Sequence, residues 1–296
     1  MDNRAEVRDF LTTRRAKITP DQVGLPAGMK RRVAGLRRSE VAALAGVSIE
    51  YYTRLERGAI SGASPEVLDA LARALLLDDA ERAYLFDLAH AASPVARPPK
   101  RRPSTSWTPH RGLQWVLDGI TAGPAFVRNG RMDLLATNLL ARAFYADVFD
   151  MPGQPPNIAR FTFLDERAHR FYPDWDAFAD VTVAILRTEA GRDPHNKDLH
   201  DLIGELGTRS EEFRRLWGSH NVRHHGAGFK TFHHPVAGQL TLAYEGMNLE
   251  AEPGLTVTVY VAEPGSPDAE RMRLLASWAV SEYGGSGTKD AAGTTR

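Results

Sequence analysis

The chain contains no cysteine, which excludes a disulfide framework and any thiolate nucleophile or metal ligand. It has no apolar run near the roughly 20 residues that a membrane span needs. Its start, MDNRAEVRDF, is charged where a signal peptide would carry an apolar stretch. Walker and Rossmann glycine loops are missing, because the GAG at Gly226 lacks the strand-turn-helix setting such loops require. No HExxH spacing occurs, and the pairs His224-His225 and His233-His234 each place neighbours on opposite faces of a strand. Asp193, His195 and Asp198 come without a nucleophile of defined context. We therefore expect no metal, no cofactor and no enzymatic activity, and the lack of cysteine suits a cytoplasmic protein.

What is present points to two domains. With 296 residues, 43% of them hydrophobic, the chain can bury two cores. The zero net charge conceals an asymmetry. Through Arg102 there are 18 Lys+Arg against 13 Asp+Glu, and beyond it 19 against 24. A basic first part joined to an acidic second part suits a nucleic-acid binder with an appended domain.

The most informative stretch is GLRRSEVAALAGVSIEYYTRLERG, residues 35–58. Val41, Leu44 and Ala45 recur at helical spacing, as do Tyr52 and Leu55. Gly46 between them tolerates the left-handed conformation that ends a helix, and Ser48 can cap the next one. Two short helices around a glycine turn make a helix-turn-helix. With Tyr52 and Leu55 inward, Ile49, Glu50, Thr53 and Arg54 face outward, and Ser48 and Tyr51 complete the start of that surface. On duplex DNA, Arg54 suits guanine, Glu50 the cytosine amino group, and Ile49 or Thr53 a thymine methyl. Arg37 and Arg38 open the first helix, where free backbone N–H groups favour phosphate. Lys30, Arg31 and Arg32 precede it as a basic arm for phosphates or the minor groove.

The segments LRRSEVAALAGVS, YYTRLERG and PEVLDALARALLLDDAER resemble the helix-turn-helix domain of the xenobiotic-response-element type, and Gly46, Ser48, Leu55, Glu56 and Gly58 match its motif. Further on, FYPDW, EFRRLW and FHHPVAGQLTLAYE resemble the C-terminal domain of MmyB-like regulators. The first resemblance implies an all-α five-helix domain that binds double-stranded DNA. The second implies an α+β, PAS-like ligand-binding module. The two together cover nearly the whole chain.

In order, a helix over 4–16 carries Val7, Phe10 and Leu11 inward, and Ser64-Pro65-Glu66 starts another. Asp78 and Glu81 begin a fifth helix, which closes a DNA-binding domain over 1–92. The proline- and basic-rich 93–110, with Lys100, Arg101 and Arg102, reads as a linker. A second domain over 111–283 opens with a helix turning Leu113, Val116 and Leu117 inward. Asn129-Gly130 then joins two strands in a hairpin. Helices follow over 139–149, 161–171, 173–192, 197–206 and 210–217, with His220 placed to cap a helix end or to hydrogen-bond a ligand. Alternation over 240–245 and 256–261 gives strands, and a last helix covers 268–283. Residues 284–296 read as a disordered tail. Strands, a helical block and strands again predict an antiparallel sheet with helices over one face.

Such a module encloses a pocket. Many aromatics and few catalytic groups suggest a small, apolar, fatty-acid-like ligand, with Met132, Asn138, Phe163, Tyr172, Trp175, Phe178, Trp217 and Tyr244 as its lining. Palindromic operators call for a homodimer. The competing expectation makes the second domain a dimerisation or protein-docking module with a filled core.

Overall fold

The structure, a computed structural model, describes residues 3–26, 33, 35–93, 107–153, 155–219 and 226–283. The basic arm Lys30, Arg31 and Arg32, the linker cations Lys100, Arg101 and Arg102, His220, His224, His225 and the tail lie outside the described residues. In chain order the elements are α1 (Asn3–Lys17), α2 (Arg38–Leu44), α3 (Ile49–Glu56), α4 (Pro65–Ala74), α5 (Asp79–Ala91) and α6 (Arg111–Gly119). Then come β1 (Ala125–Asn129), β2 (Leu134–Thr137), α7 (Leu139–Phe144), α8 (Ala146–Phe149), α9 (Ile158–Leu164) and α10 (Arg167–Phe171). The chain continues through α11 (Trp175–Arg192), α12 (Lys197–Arg209) and α13 (Glu211–Gly218). It ends with β3 (Ala227–His234), β4 (Gly238–Asn248), β5 (Leu255–Val261) and α14 (Pro267–Tyr283). Two compact units result, Met1–Pro99 with Val183–His224, and Lys100–Thr182 with His225–Arg296. Composition suggests one cut in the chain, at the linker; the compact units instead interleave in sequence.

The first unit is helical. Val7, Phe10, Leu11, Leu36, Val41, Tyr52, Leu55, Leu68, Leu71, Leu85 and Leu88 share one buried core. The helix-turn-helix forms for local reasons. The Glu40 carboxylate accepts from the Arg37 backbone N–H at 2.7 Å and opens α2. Gly46, at φ 66°, closes it. The Val47 N–H donates to the Ala42 carbonyl at 3.0 Å and the Gly46 N–H to Ala43 at 3.2 Å, the pair of bonds that defines a Schellman stop. Ser48 Oγ then accepts from the Tyr51 N–H at 3.1 Å and caps α3. The inward stripe differs from the expected one: Val41, Ala42 and Ala45 are buried while Leu44 remains 39% exposed. In a helix of seven residues, one narrow seam suffices, and Leu44 falls on its flank.

The second unit is built on a five-stranded sheet in the order β2-β1-β5-β4-β3, antiparallel throughout. A hairpin does form at Asn129-Gly130, but not through a two-residue Asn-Gly turn: the Met132 N–H donates to the Asn129 carbonyl at 3.0 Å, and the left-handed residue is Met132, at φ 65°. Alternation sorts the two faces. Ala125, Val127, Leu255 and Val257 pack with Leu113 and Leu117 of α6. Phe126, Phe232 and Tyr260 point the other way, into rings from α7, α10 and α11. Helices thus pack on both faces, where the pattern suggests one. Val116, expected inward, is 59% exposed, because Leu113 and Leu117 alone carry the seam of α6. The expected helix over 139–149 breaks at Tyr145, and the one over 161–171 breaks at Asp165, whose carboxylate accepts from the Arg167 N–H at 2.9 Å.

Candidate functional site

The outward surface of α3 is open. Ile49, Glu50, Thr53 and Arg54 line a concavity of about 430 Å³ together with Arg4, Arg57 and Ala59. Ile49 is 48% exposed on this surface. Arg54 lies with its guanidinium carbon 4.9 Å from the centre of the Tyr51 ring, which holds the cation at the helix surface. Arg37 and Arg38 are exposed at the start of α2. Ile49, Glu50, Thr53 and Arg54 therefore share this concavity with Arg4 and Arg57, whereas Ser48 caps α3 and Tyr51 packs partly against the core.

A buried carboxylate fixes this surface from behind. Glu56, whose side chain is 1% exposed, accepts from Arg15 Nε at 2.8 Å and pairs with Arg15 Nη2 at 2.7 Å. Thr12 Oγ1 donates to it at 3.3 Å, and Arg38 Nε binds its second oxygen. Arg15 also donates to the Leu36 carbonyl at 2.8 Å. Thus α1 and the start of α2 are tied to the end of α3. The motif resemblance includes Glu56, but its partners lie 41 and 18 positions away, beyond the reach of local pattern. Arg38 has a structural partner in Glu56 while half its side chain stays exposed, so it serves the scaffold whatever it does at a phosphate.

In the second unit the expected ligand residues separate into groups. Tyr172 and Phe178 stack at 3.7 Å. Tyr244 joins them through Lys230, whose Nζ lies 4.2 Å from the Phe178 ring and 4.7 Å from Tyr244. Phe163 and Trp175 meet edge to face at 5.8 Å in a separate cluster, where Trp175 also stacks on His169. Asn138 is wholly engaged with backbone: its Oδ1 accepts from Ala125 and Ala141, and its Nδ2 donates to Ile120 and Gly123. Met132 is a buried turn residue at φ 65°. Trp217 belongs to the first unit, where it stacks on Phe213.

Two cations at the ring cluster escape composition analysis. Arg128 is 9% exposed, with one long hydrogen bond to the Asn129 carbonyl at 3.5 Å and no carboxylate partner among the described residues. Burial lowers its pKa from the usual arginine value, and the Tyr260 and Tyr145 phenols offset this only in part. Lys230 is pulled down to about 7 by burial and by the Arg128 charge. The Tyr145 and Tyr260 hydroxyls meet at 3.1 Å, and burial pushes Tyr260 up to about 12. Strand parity is the available signal: Arg128 alternates in step with Phe126, and Lys230 with Phe232 and His234, so both cations belong to the inner face. His234 is buried beside Phe144, and its Nδ1 accepts from the Val236 and Ala237 N–H groups, a turn-closing role. Among the described residues no cluster of His, Asp and Glu is disposed to hold a metal ion, and no helix is long and apolar enough to cross a membrane.

An all-α unit presenting a helix-turn-helix and an α+β unit with a five-stranded antiparallel sheet define a DNA-binding regulator with an appended sensory module. Comparison with family models agrees. A model described as a helix-turn-helix domain matches residues 13–85. A model described as the MmyB-like transcription regulator ligand binding domain matches residues 109–275, more than half the chain. The chain belongs to the MmyB-like transcription regulators. A search of curated proteins gave no match.

Proposed function

We infer that this regulator is a one-component, cytoplasmic transcription factor: residues 1–92 read a duplex operator and residues 111–283 sense a small molecule. The observation that carries the first half is the open surface of α3, where Ile49, Glu50, Thr53 and Arg54 line one concavity with Arg4 and Arg57. Their chemistry suits mixed major-groove readout, and Arg37 and Arg38 with the arm Lys30, Arg31 and Arg32 suit phosphates. A homodimer on a two-fold operator follows from the usual symmetry of such readers.

For the ligand, the ring cluster around Tyr172, Phe178 and Tyr244 supports an apolar, fatty-acid-like body. Arg128, buried among phenols with no carboxylate partner among the described residues, supports an acidic head on that molecule. The ligand acts by binding one geometry of the regulator better than another. We assign the protein no enzymatic step. A second reading, a filled dimerisation or docking module, draws on the close mutual packing of the rings, 3.7 Å between Tyr172 and Phe178, and on the exposed Phe229, Met247 and Val261 of the sheet. Mass spectrometry of organic extracts from the purified, denatured protein separates them. A recurrent small acid lost from an Arg128→Met variant supports sensing; no extractable molecule at all supports docking.

A further inference from the structure

The compact unit that contains the DNA-binding helices also contains residues that match the ligand-binding family model. That model covers 109–275, yet Val183–His224 lie in the first unit. The junction is a buried ionic cluster. Arg187 of α11 has no exposed surface, and its Nη1 pairs with Glu6 Oε1 of α1. The Tyr84 hydroxyl of α5 donates to the same carboxylate oxygen at 2.8 Å. Arg187 Nη2 donates to the Trp217 carbonyl, and its guanidinium carbon lies 4.2 Å from the centre of the Trp217 indole. One turn further along α11, Gly191 sits against the Tyr84 ring so closely that a Cβ would overlap it. Arg192 pairs with Asp87 of α5 at 3.0 Å. Positions 187 and 191 share a helix face, so this face of α11 is fitted to α1 and α5.

The same helix α1 supports the recognition helix. It carries Glu6 near its start and Arg15 near its end, and Arg15 binds Glu56 at the end of α3. Gly58, just past α3 at φ 91°, lies where a Cβ would overlap the Arg4 carbonyl. A displacement of α1 is therefore felt at both ends of its contact with α3. We propose that Arg187 is a latch: through Glu6 and α1 it ties the position of the ligand-family segment 183–218 to the posture of the recognition helix. This rests on the regulator reading above and adds the route by which the sensory part controls the DNA-binding part. A buried pair is suited to such a role, because removing one partner alone is strongly destabilising, whereas replacing both together need not be.

Coupling is reciprocal, so the latch can be tested with DNA alone. A duplex is selected from a random pool with the full-length protein, and hydrogen exchange is followed in the full-length chain with and without it. Duplex binding should change exchange in α12 and α13 by about fivefold or more, the lower bound of typical allosteric coupling. In Arg187→Met that response should disappear while the duplex still binds. Should Arg187→Met fail to fold, the double variant Glu6→Gln/Arg187→Met, which removes both charges together, provides the same readout. A response that persists undiminished in a folded variant overturns the latch, as does a wild type that binds duplex with α12 and α13 unmoved. A wild type that selects no duplex overturns the regulator reading itself, and the latch with it.

Discussion

Removing the Glu56 carboxylate should loosen the recognition helix from its support. The side chain is 1% exposed, and its principal partner Arg15 is 12% exposed, whereas Arg38 is 50% exposed. In Glu56→Ala the Arg15 guanidinium would keep its bond to the Leu36 carbonyl but lose its acid while remaining mostly out of water. Breaking a buried pair in this way costs about 3–5 kcal/mol. The Arg38 contact, screened by solvent, contributes at most about 1 kcal/mol. Since a domain is stable by roughly 5–15 kcal/mol, the first unit should melt about 10 °C lower, given ~2–4 °C per kcal/mol at this size. Calorimetry on the full chain, which resolves separate transitions, is the assay. A double-mutant cycle with Arg15→Ala and Arg38→Ala apportions the loss. We expect a coupling above about 2 kcal/mol for Arg15–Glu56 and below about 1 for Arg38–Glu56. A Glu56→Ala shift within about 1 kcal/mol of zero, or an Arg38 coupling larger than that of Arg15, would refute the assignment of Glu56 as the anchor of α3.

Other expectations follow from the same geometry. Arg54→Ala should cost roughly 1–3 kcal/mol on a specific duplex and relax the preference at one base pair, read by anisotropy on matched and substituted duplexes. Arg38→Ala should weaken binding to all sequences alike and reduce the salt slope by about one unit. Lys230, held near 7 in the fold against about 10.4 in an unfolded chain, binds fewer protons folded than unfolded between those values. Stability should therefore rise with pH across that window, and Lys230→Met should flatten the rise. Denaturation series from pH 6 to 10 check the sign; a parallel dependence in both proteins would show that Lys230 is not the titrating group.

How far the sequence led depended on the range of the interactions. The helix-turn-helix was legible because its determinants are local: Gly46 for the Schellman stop, Ser48 for the cap, and helical spacing for the outward face of α3. The strand alternation of 240–245 and 256–261 was likewise visible. Leu44 and Val116 were misplaced because apolar spacing does not say how wide a seam the neighbours cover. Glu56 was visible as a motif residue, but its clasp by Arg15 and Arg38 was not, and the Glu6–Arg187 pair joins positions 181 residues apart. Arg128 and Lys230 were not singled out, although strand parity puts them in step with Phe126 and Phe232. The proposed pocket lining was drawn from aromatic composition, which does not distinguish a ring facing Lys230 from one stacked on Phe213.

The most direct test of the account is selection of duplexes from a random pool by the full-length protein, run beside Arg54→Ala. The account predicts an inverted repeat with half-sites about 10 bp apart, and a variant that keeps the repeat while losing discrimination at one symmetry-related base pair. A pool that stays random with the wild type, or a variant that loses specific and random DNA in equal measure, would contradict the claim that the outward face of α3 reads sequence.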